Sequence, residues 1–284
     1  ARTAVIANHR AAAHHAVVVI ATIHRVHAGI ALHVIIAAVA IHGVGANAAV
    51  FSVVHAVVFR PLPYPEPERL IELFEVNPTT TGNTFRVSAL NYLSWSARAT
   101  TFEAIASFQG NDFDVTGGTH AARVPGASVS ASLFRVLAVT PIAGRELRAA
   151  DETPGSSPVA LVGESLWRSR YGGDPSIVGT TVMLNGDSHE IIGVVPDTFR
   201  DVGRSQISSV AGPQLFVPLR IDPARENRGN HTLRVVGRLR PGSSLEQARA
   251  ERSAIVAAMD AEFPSTNKGW GIHLERIDDS MFAE

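Results

Sequence analysis

The chain has 284 residues, a formal net charge of −1 and no cysteine. The length allows one or two domains. The missing cysteine excludes disulfides, thiolate metal sites and cysteine nucleophiles together. The near-neutral balance argues against nucleic acid as the main partner, because phosphate binding needs a concentrated basic patch. The charge is also unevenly spread. No Asp, Glu, Lys or Arg lies between Val26 and Phe59, and the first carboxylate is Glu66, so all 26 acidic residues fall in the second part.

Residues 1–25 form an N-terminal segment, expected to be cytoplasmic or interfacial. A helix needs roughly 20 apolar residues to cross a bilayer. The stretch 26–59 is longer, and it is too long for the apolar core of a signal peptide. It is therefore predicted to be a single transmembrane helix. Arg2, Arg10 and Arg25 precede it, which favours a cytoplasmic N-terminus and an extracytoplasmic main domain at 60–284.

Histidines lie in and beside this span. A polar side chain in a membrane is costly and invites a functional reading, and neutral imidazole is a common ligand of haem iron. His33 and His42 are nine residues apart, about two and a half helical turns, so they point to different sides. The expectation is no cofactor, with these residues facing protein or headgroups. The alternative is haem or bacteriochlorophyll contacted in the membrane, with His33 and His42 as ligand candidates. Gly43-Val44-Gly45-Ala46-Asn47 imitates a phosphate loop, but it lacks the third glycine and lies inside an apolar run. Gly43, Gly45, Ala46 and Ala49 are better read as a face for close helix packing in the bilayer.

Pro61, Pro63, Pro65 and Pro67 end the helix. Leu70 to Val76 has strand-like content, and Asn77 to Asn83 reads as a loop. Ser88 is placed to cap a helix near Ala89 to Ser96. Phe102 to Phe108 is a short apolar segment. Asn185-Gly186, between Thr181–Leu184 and His189–Val195, is a hairpin signal. Leu233 to Leu239 reads as a strand and Pro241-Gly242 as its turn. Ser243 with Glu246 matches a capping box. Leu245, Ala248, Ile255, Met259 and Phe263 follow at near-helical spacing. These elements make a mixed α+β domain.

Several motifs fail as sites. Gly163-Glu164-Ser165-Leu166-Trp167 begins like a nucleophile elbow, but Trp167 replaces the closing glycine, and a surface helix start is the plainer reading. Asp151-Glu152 and Asp278-Asp279 are sequence neighbours, which do not face each other across a site, so solvated turns are expected. His189, His231 and His273 are isolated in sequence. There is no HExxH and no Walker lysine, so no metal or catalytic residue is predicted and the chain is not expected to be an enzyme.

A set of segments carries a family resemblance. Gly43 to Pro65 resembles the first transmembrane helix and its exit in MacB/FtsX-like ABC transporter permeases, most of all the branch found in Acidobacteria and Gemmatimonadetes. Val87–Tyr92, Phe134–Pro141, Gly144-Arg145, Tyr171–Gly179, Leu184–Gly186, Gly193–Pro196 and Arg238–Gly242 are further matches. The resemblance implies a two-lobed periplasmic core domain behind one inner-membrane span. Its porter-like lobe would come from about 66–100 and 232–284, and its inserted lobe from about 101–231. It implies no catalytic residues. It does imply work on other membrane protein subunits, within the lipid bilayer, coupled to a partner ABC ATPase. The family's permeases carry further transmembrane helices beyond this domain, which the sequence up to Glu284 does not include. A second expectation is therefore a single-span accessory subunit bracing a photosynthetic or respiratory assembly.

Overall fold

The computed structural model of the chain describes residues 63–77, 79, 84–116, 121–197 and 212–277. The predicted N-terminal segment and transmembrane helix, residues 1–59, lie outside the described residues. Among the described residues no helix is long and apolar enough to cross a membrane.

Among the described residues twelve strands and four α-helices follow one another. In chain order they are β1 (Leu70–Val76), β2 (Thr84–Phe85), β3 (Val87–Ser88), α1 (Ala89–Arg98), β4 (Phe102–Thr116), β5 (Ala122–Val129), α2 (Leu133–Leu137), β6 (Ala143–Gly144), β7 (Val159–Gly163), α3 (Glu164–Tyr171), β8 (Thr181–Leu184), β9 (Asp187–Val195), β10 (Leu215–Pro218), β11 (His231–Leu239), α4 (Leu245–Glu262) and β12 (Gly271–Arg276). The mixed α+β expectation is met. The strand at 70–76, the Ser88-capped helix and the Asn185-Gly186 hairpin stand where the local signals put them. Asn185 and Gly186 both take positive φ, 52° and 90°, the demand of a two-residue hairpin turn.

Two local readings are corrected. The segment Phe102–Phe108 is only the first half of the 15-residue strand β4. Polar residues alternate with buried Phe113 and Val115 in its second half, a period-2 pattern that keeps one face apolar. The capping box of α4 is Ser244 with Gln247, not Ser243 with Glu246. Ser243 N–H closes the Pro-Gly turn onto the Arg240 carbonyl, so the helix starts one residue later. Glu246 instead pairs with Arg249 at the surface.

The strands order as β12-β1-β11-β4-β5-β10-β7-β9-β6, with β8 pairing both β4 and β9. That double pairing closes a barrel-like ring, β4-β5-β10-β7-β9-β8. The ring mixes parallel pairs, β5·β10 and β7·β9, with antiparallel ones. The long strand β4 joins the ring to an open sheet. Residues 102–108 pair with β11, 108–115 with β5, and the last two with β8. Gly126 of β5 permits the close approach of β10, since a Cβ there would stand 2.5 Å from the Leu215 carbonyl oxygen and 2.6 Å from the Phe113 ring.

Alternating side chains produce three apolar cores. Ile71, Leu73 and Val235 meet α1 and α4 on one face of the open sheet. Leu70, Phe108 and Val236 meet α2 on the other, together with Leu161 and Phe216. Phe113, Leu184, Ile191 and Leu215 fill the ring with Trp167 of α3. Burying one such side chain contributes about 1.5–3 kcal/mol.

Candidate functional site: the chain-entry joint

The residues that lead into β1 and out of β12 come together at one end of the open sheet, where Ile71 pairs with Arg276. Tyr64 before β1 and Ile277 after β12 are both buried in the core around Phe134 and Leu137 of α2. The polar contacts at this end are made by two arginines.

Arg238 of β11 is 3% exposed. Its Nε donates to the Val136 carbonyl at 2.6 Å and its Nη2 to the Pro65 carbonyl at 3.0 Å. Burial, helped by the nearby Arg69 charge, lowers its pKa from the ordinary arginine value. Arg69 donates from Nε and Nη2 to the Leu239 carbonyl, at 2.9 and 2.7 Å. It also pairs with Glu66 at 2.5 Å and Glu103 at 2.9 Å. The segment 64–69 is therefore fastened to β11, β4 and α2. Charge-assisted hydrogen bonds are roughly twice as strong as neutral ones, which favours a firm attachment. The guanidinium groups bind carbonyls and carboxylates, which holds chain segments in place.

A second polar cluster lies at the opposite end of β1. Glu75 is 1% exposed. Its Oε1 accepts from Ser88 N–H and Asn91 Nδ2, both at 2.9 Å. Desolvation raises its pKa above the ordinary 4.5, against the lowering effect of those bonds and of His231. Arg228 donates to Asn91 Oδ1 at 2.6 Å and lies over the Phe263 ring. Asn267 donates to the same Oδ1.

The sequence-predicted sites fall as follows. The ligand candidates His33 and His42, and the packing residues Gly43, Gly45, Ala46 and Ala49, lie outside the described residues, as does the Asp278-Asp279 pair. Gly163 does precede a helix, α3, but Leu166 and Trp167 of that helix are buried. The Ser165 hydroxyl donates to Asp197, whose other oxygen accepts the Ser165 N–H, so the serine is a tethered helix start.

Asp151 and Glu152 are not freely solvated, because the 3-10 turn they occupy folds back on the body. Asp151 accepts from Arg145 at 2.7 and 3.1 Å, and that contact holds its pKa below the usual carboxylate value. Glu152 accepts the Ala131 N–H at 2.7 Å, while burial raises its pKa.

His231 and His273 are isolated only in sequence. His231 Nδ1 lies 2.7 Å from Glu75 Oε2, and His273 Nε2 lies 3.2 Å from Glu275. Sequence reasoning missed Arg69, Arg238 and Glu75. For Glu75 and Arg238 the signal was a charged residue set within apolar strand runs, Leu70–Val76 and Leu233–Leu239, and for Arg69 a charge directly before the first run. Among the described residues no group of three or more His, Cys, Asp or Glu is placed to hold a metal ion.

Comparison with known proteins fits this architecture. No curated protein matches the chain. The periplasmic region of MacB from Actinobacillus actinomycetemcomitans is similar in structure, with a TM-score of 0.52 at 12% identity, over 74% of this chain and 90% of that one. A domain of a putative permease protein from Porphyromonas gingivalis is similar with a TM-score of 0.53 at 17% identity, over 75% of this chain and 91% of that one. At these identities the likeness establishes the fold. In sequence, residues 34–255 match the model of the MacB-like periplasmic core domain. On that match over most of its length, the chain belongs to the MacB-like periplasmic core domain family.

Proposed function

We propose that the chain is a non-catalytic periplasmic interaction protein, held in the bacterial inner membrane by one helix at 26–59 with a cytoplasmic N-terminus. It acts through contacts with other membrane subunits. As part of a permease it couples a partner ABC ATPase to transport or efflux. Its porter-like lobe is about 66–100 and 232–284 and its inserted lobe about 101–231, and the joint draws residues from both. Gly43, Gly45, Ala46 and Ala49 form the packing face within the bilayer.

The joint is the observation that carries this reading. Arg238 and Arg69 bind the segment just after the apolar stretch to β11, β4 and α2. A displacement of that segment then moves the sheet with it, whereas a free linker would absorb it. A firm contact between that segment and the sheet suits coupling by displacement.

Extraction from the native membrane in mild detergent tests the proposal, through the mass and absorption spectrum of what copurifies. An ATPase partner without chromophore supports it. A pigmented assembly lacking an ATPase overturns it in favour of a bracing subunit, with His33 and His42 as the ligands to replace next. Replacing Gly43 and Ala46 with Leu is expected to weaken assembly, and unchanged copurification would remove that face from the account.

A further inference from the structure

The open sheet divides partway along β1. β1 and β11 pair from Leu70 with Arg238 to Leu73 with Val235, and then part. Beyond that register β1 pairs with β2 through Glu75 and Val76. The start of β11 pairs instead with β3, through His231 and Leu233. Arg86 is the one residue between β2 and β3, so it stands in the fork. A cavity of about 110 Å³ opens there, and its walls include Glu72, Phe74, Phe85, Arg86, Leu233 and Arg234.

The two arginines of the fork differ from those of the joint. Arg69 and Arg238 each donate to at least two acceptors. The Arg234 side chain is only 11% exposed, yet its one hydrogen bond runs from Nη2 to Glu72 Oε1 at 2.7 Å. A guanidinium carries five N–H donors, so four of those on Arg234 meet no acceptor among the described residues. The nitrogens concerned are not sealed inside the protein, and a ligand can reach them. The Phe108 ring, 5.5 Å away, backs the same guanidinium. Arg86 is exposed, and its side chain makes no hydrogen bond or ion pair among the described residues.

We propose that this fork binds a carboxylate carried on a short apolar stem, with Arg234 and Arg86 as its donors. Guanidinium groups hold carboxylates by charge-assisted, bidentate hydrogen bonds. The walls set two guanidinium charges against the single Glu72 carboxylate, so a second carboxylate balances them. Phe74, Phe85 and Leu233 make the rest of the wall apolar, which suits a carbon stem better than a fully hydrated phosphate. The volume is far below the roughly 300–1,000 Å³ of a pocket for a drug-sized ligand, so the fork takes one side chain or one small acid. Glu275 sits opposite Glu72 on β12, but it is engaged by His273 at 3.2 Å and is not part of the wall. The carboxylate comes either from a free short-chain acid or from a glutamate side chain of a partner protein. The site is independent of the transport reading and would operate equally in a bracing subunit.

The test uses the full chain in detergent and phenylglyoxal, which modifies accessible guanidinium groups, with peptide mass mapping to follow each arginine. The probes are butyrate, the peptide acetyl-Ala-Ala-Glu-Ala-Ala-amide and the same peptide with Gln for Glu. Arg123, whose side chain is 72% exposed, is the internal control. At about 5 mM butyrate and a Kd on the order of 1 mM, modification of Arg86 is expected to slow about sixfold while Arg123 is unaffected. Protection by butyrate identifies a free acid as sufficient. Protection by the Glu peptide but not by its Gln counterpart identifies a protein side chain.

Arg234→Gln is expected to abolish the protection of Arg86. Glu72→Gln removes the competing carboxylate while keeping the shape of the side chain, and should tighten the Kd about threefold. This second variant decides the matter if Arg234→Gln does not fold. An Arg86 rate unchanged by butyrate and by the Glu peptide would overturn the proposal. So would equal slowing by sulfate at matched ionic strength, protection retained in Arg234→Gln, or a Kd no tighter in Glu72→Gln.

Discussion

The closed ring and the open sheet solve the same packing problem with different chemistry. The ring's core is apolar throughout, from Phe113 and Leu184 to Ile191 and Leu215. The open sheet and its helices bury Glu72, Glu75, Asn91, Asn267 and Arg238. Both regions share β4, so the difference does not come from separate folding units. It comes from what each region must do. A ring has no edges to guard, and hydrophobic burial alone suffices to hold it. The open sheet receives the chain at one end and gathers four segments at the other, and directional polar bonds fix those meetings where apolar contact would leave them free to slide. Its terminal strand β12 is guarded as well, with Arg249 and Arg252 of α4 donating to the Leu274 and Ile272 carbonyls.

Substitutions can break this contrast or sharpen it. Ile191→Ala, in the ring core, should cost about 4 kcal/mol by cavity formation, equally at any pH between 5 and 8, read by denaturant unfolding. Arg238→Met should cost about 3 kcal/mol, since it leaves the Pro65 and Val136 carbonyls without their donor. A buried cation can instead burden a fold, and replacing one with an apolar side chain of similar volume is then neutral or stabilising. If Arg238→Met proves neutral, the joint is not held by its polar bonds and the contrast fails.

Asp151→Asn should cost about 1 kcal/mol at neutral pH. Its pKa is depressed by Arg145, so the wild-type advantage is present above pH 3.8 and is lost as pH falls through the lower folded value. Melting curves of wild type and Asp151→Asn should therefore converge in acid. Gly186→Ala should cost about 1 kcal/mol, from backbone strain alone, because an added Cβ at φ +90° meets nothing within 4 Å. A small shift in melting temperature measures it.

What the sequence made legible was local. The Leu70–Val76 strand, the Ser88 cap and the Asn185-Gly186 turn each rest on residues within a few positions of one another, and each was placed. The two polar sites were not visible, because their members are far apart in the chain. Glu75 meets His231, and Arg238 meets Pro65, only once β1 has paired with β11. The ring closure was hidden for the same reason, since it depends on the tip of β4 finding β8. The α4 cap shifted by one residue because the Pro-Gly turn engaged Ser243 first. The family resemblance, by contrast, was legible in scattered short segments, since turns and caps such as Leu184-Asn185-Gly186 keep their local chemistry whatever surrounds them.

The pairing of Leu70 with Arg238 also sets an order in time. At about 5–20 residues per second, a ribosome delivers β11 roughly 10–30 s after β1. The ring's strands all lie between Phe102 and Pro218, so its partners are complete before β11 has emerged. The ring can therefore close first, while β1, paired only with the two residues of β2, waits for β11 and β12. The nascent chain must keep Leu70–Val76 from wrong partners through that interval, and the last-formed part of the domain is the part that carries the joint.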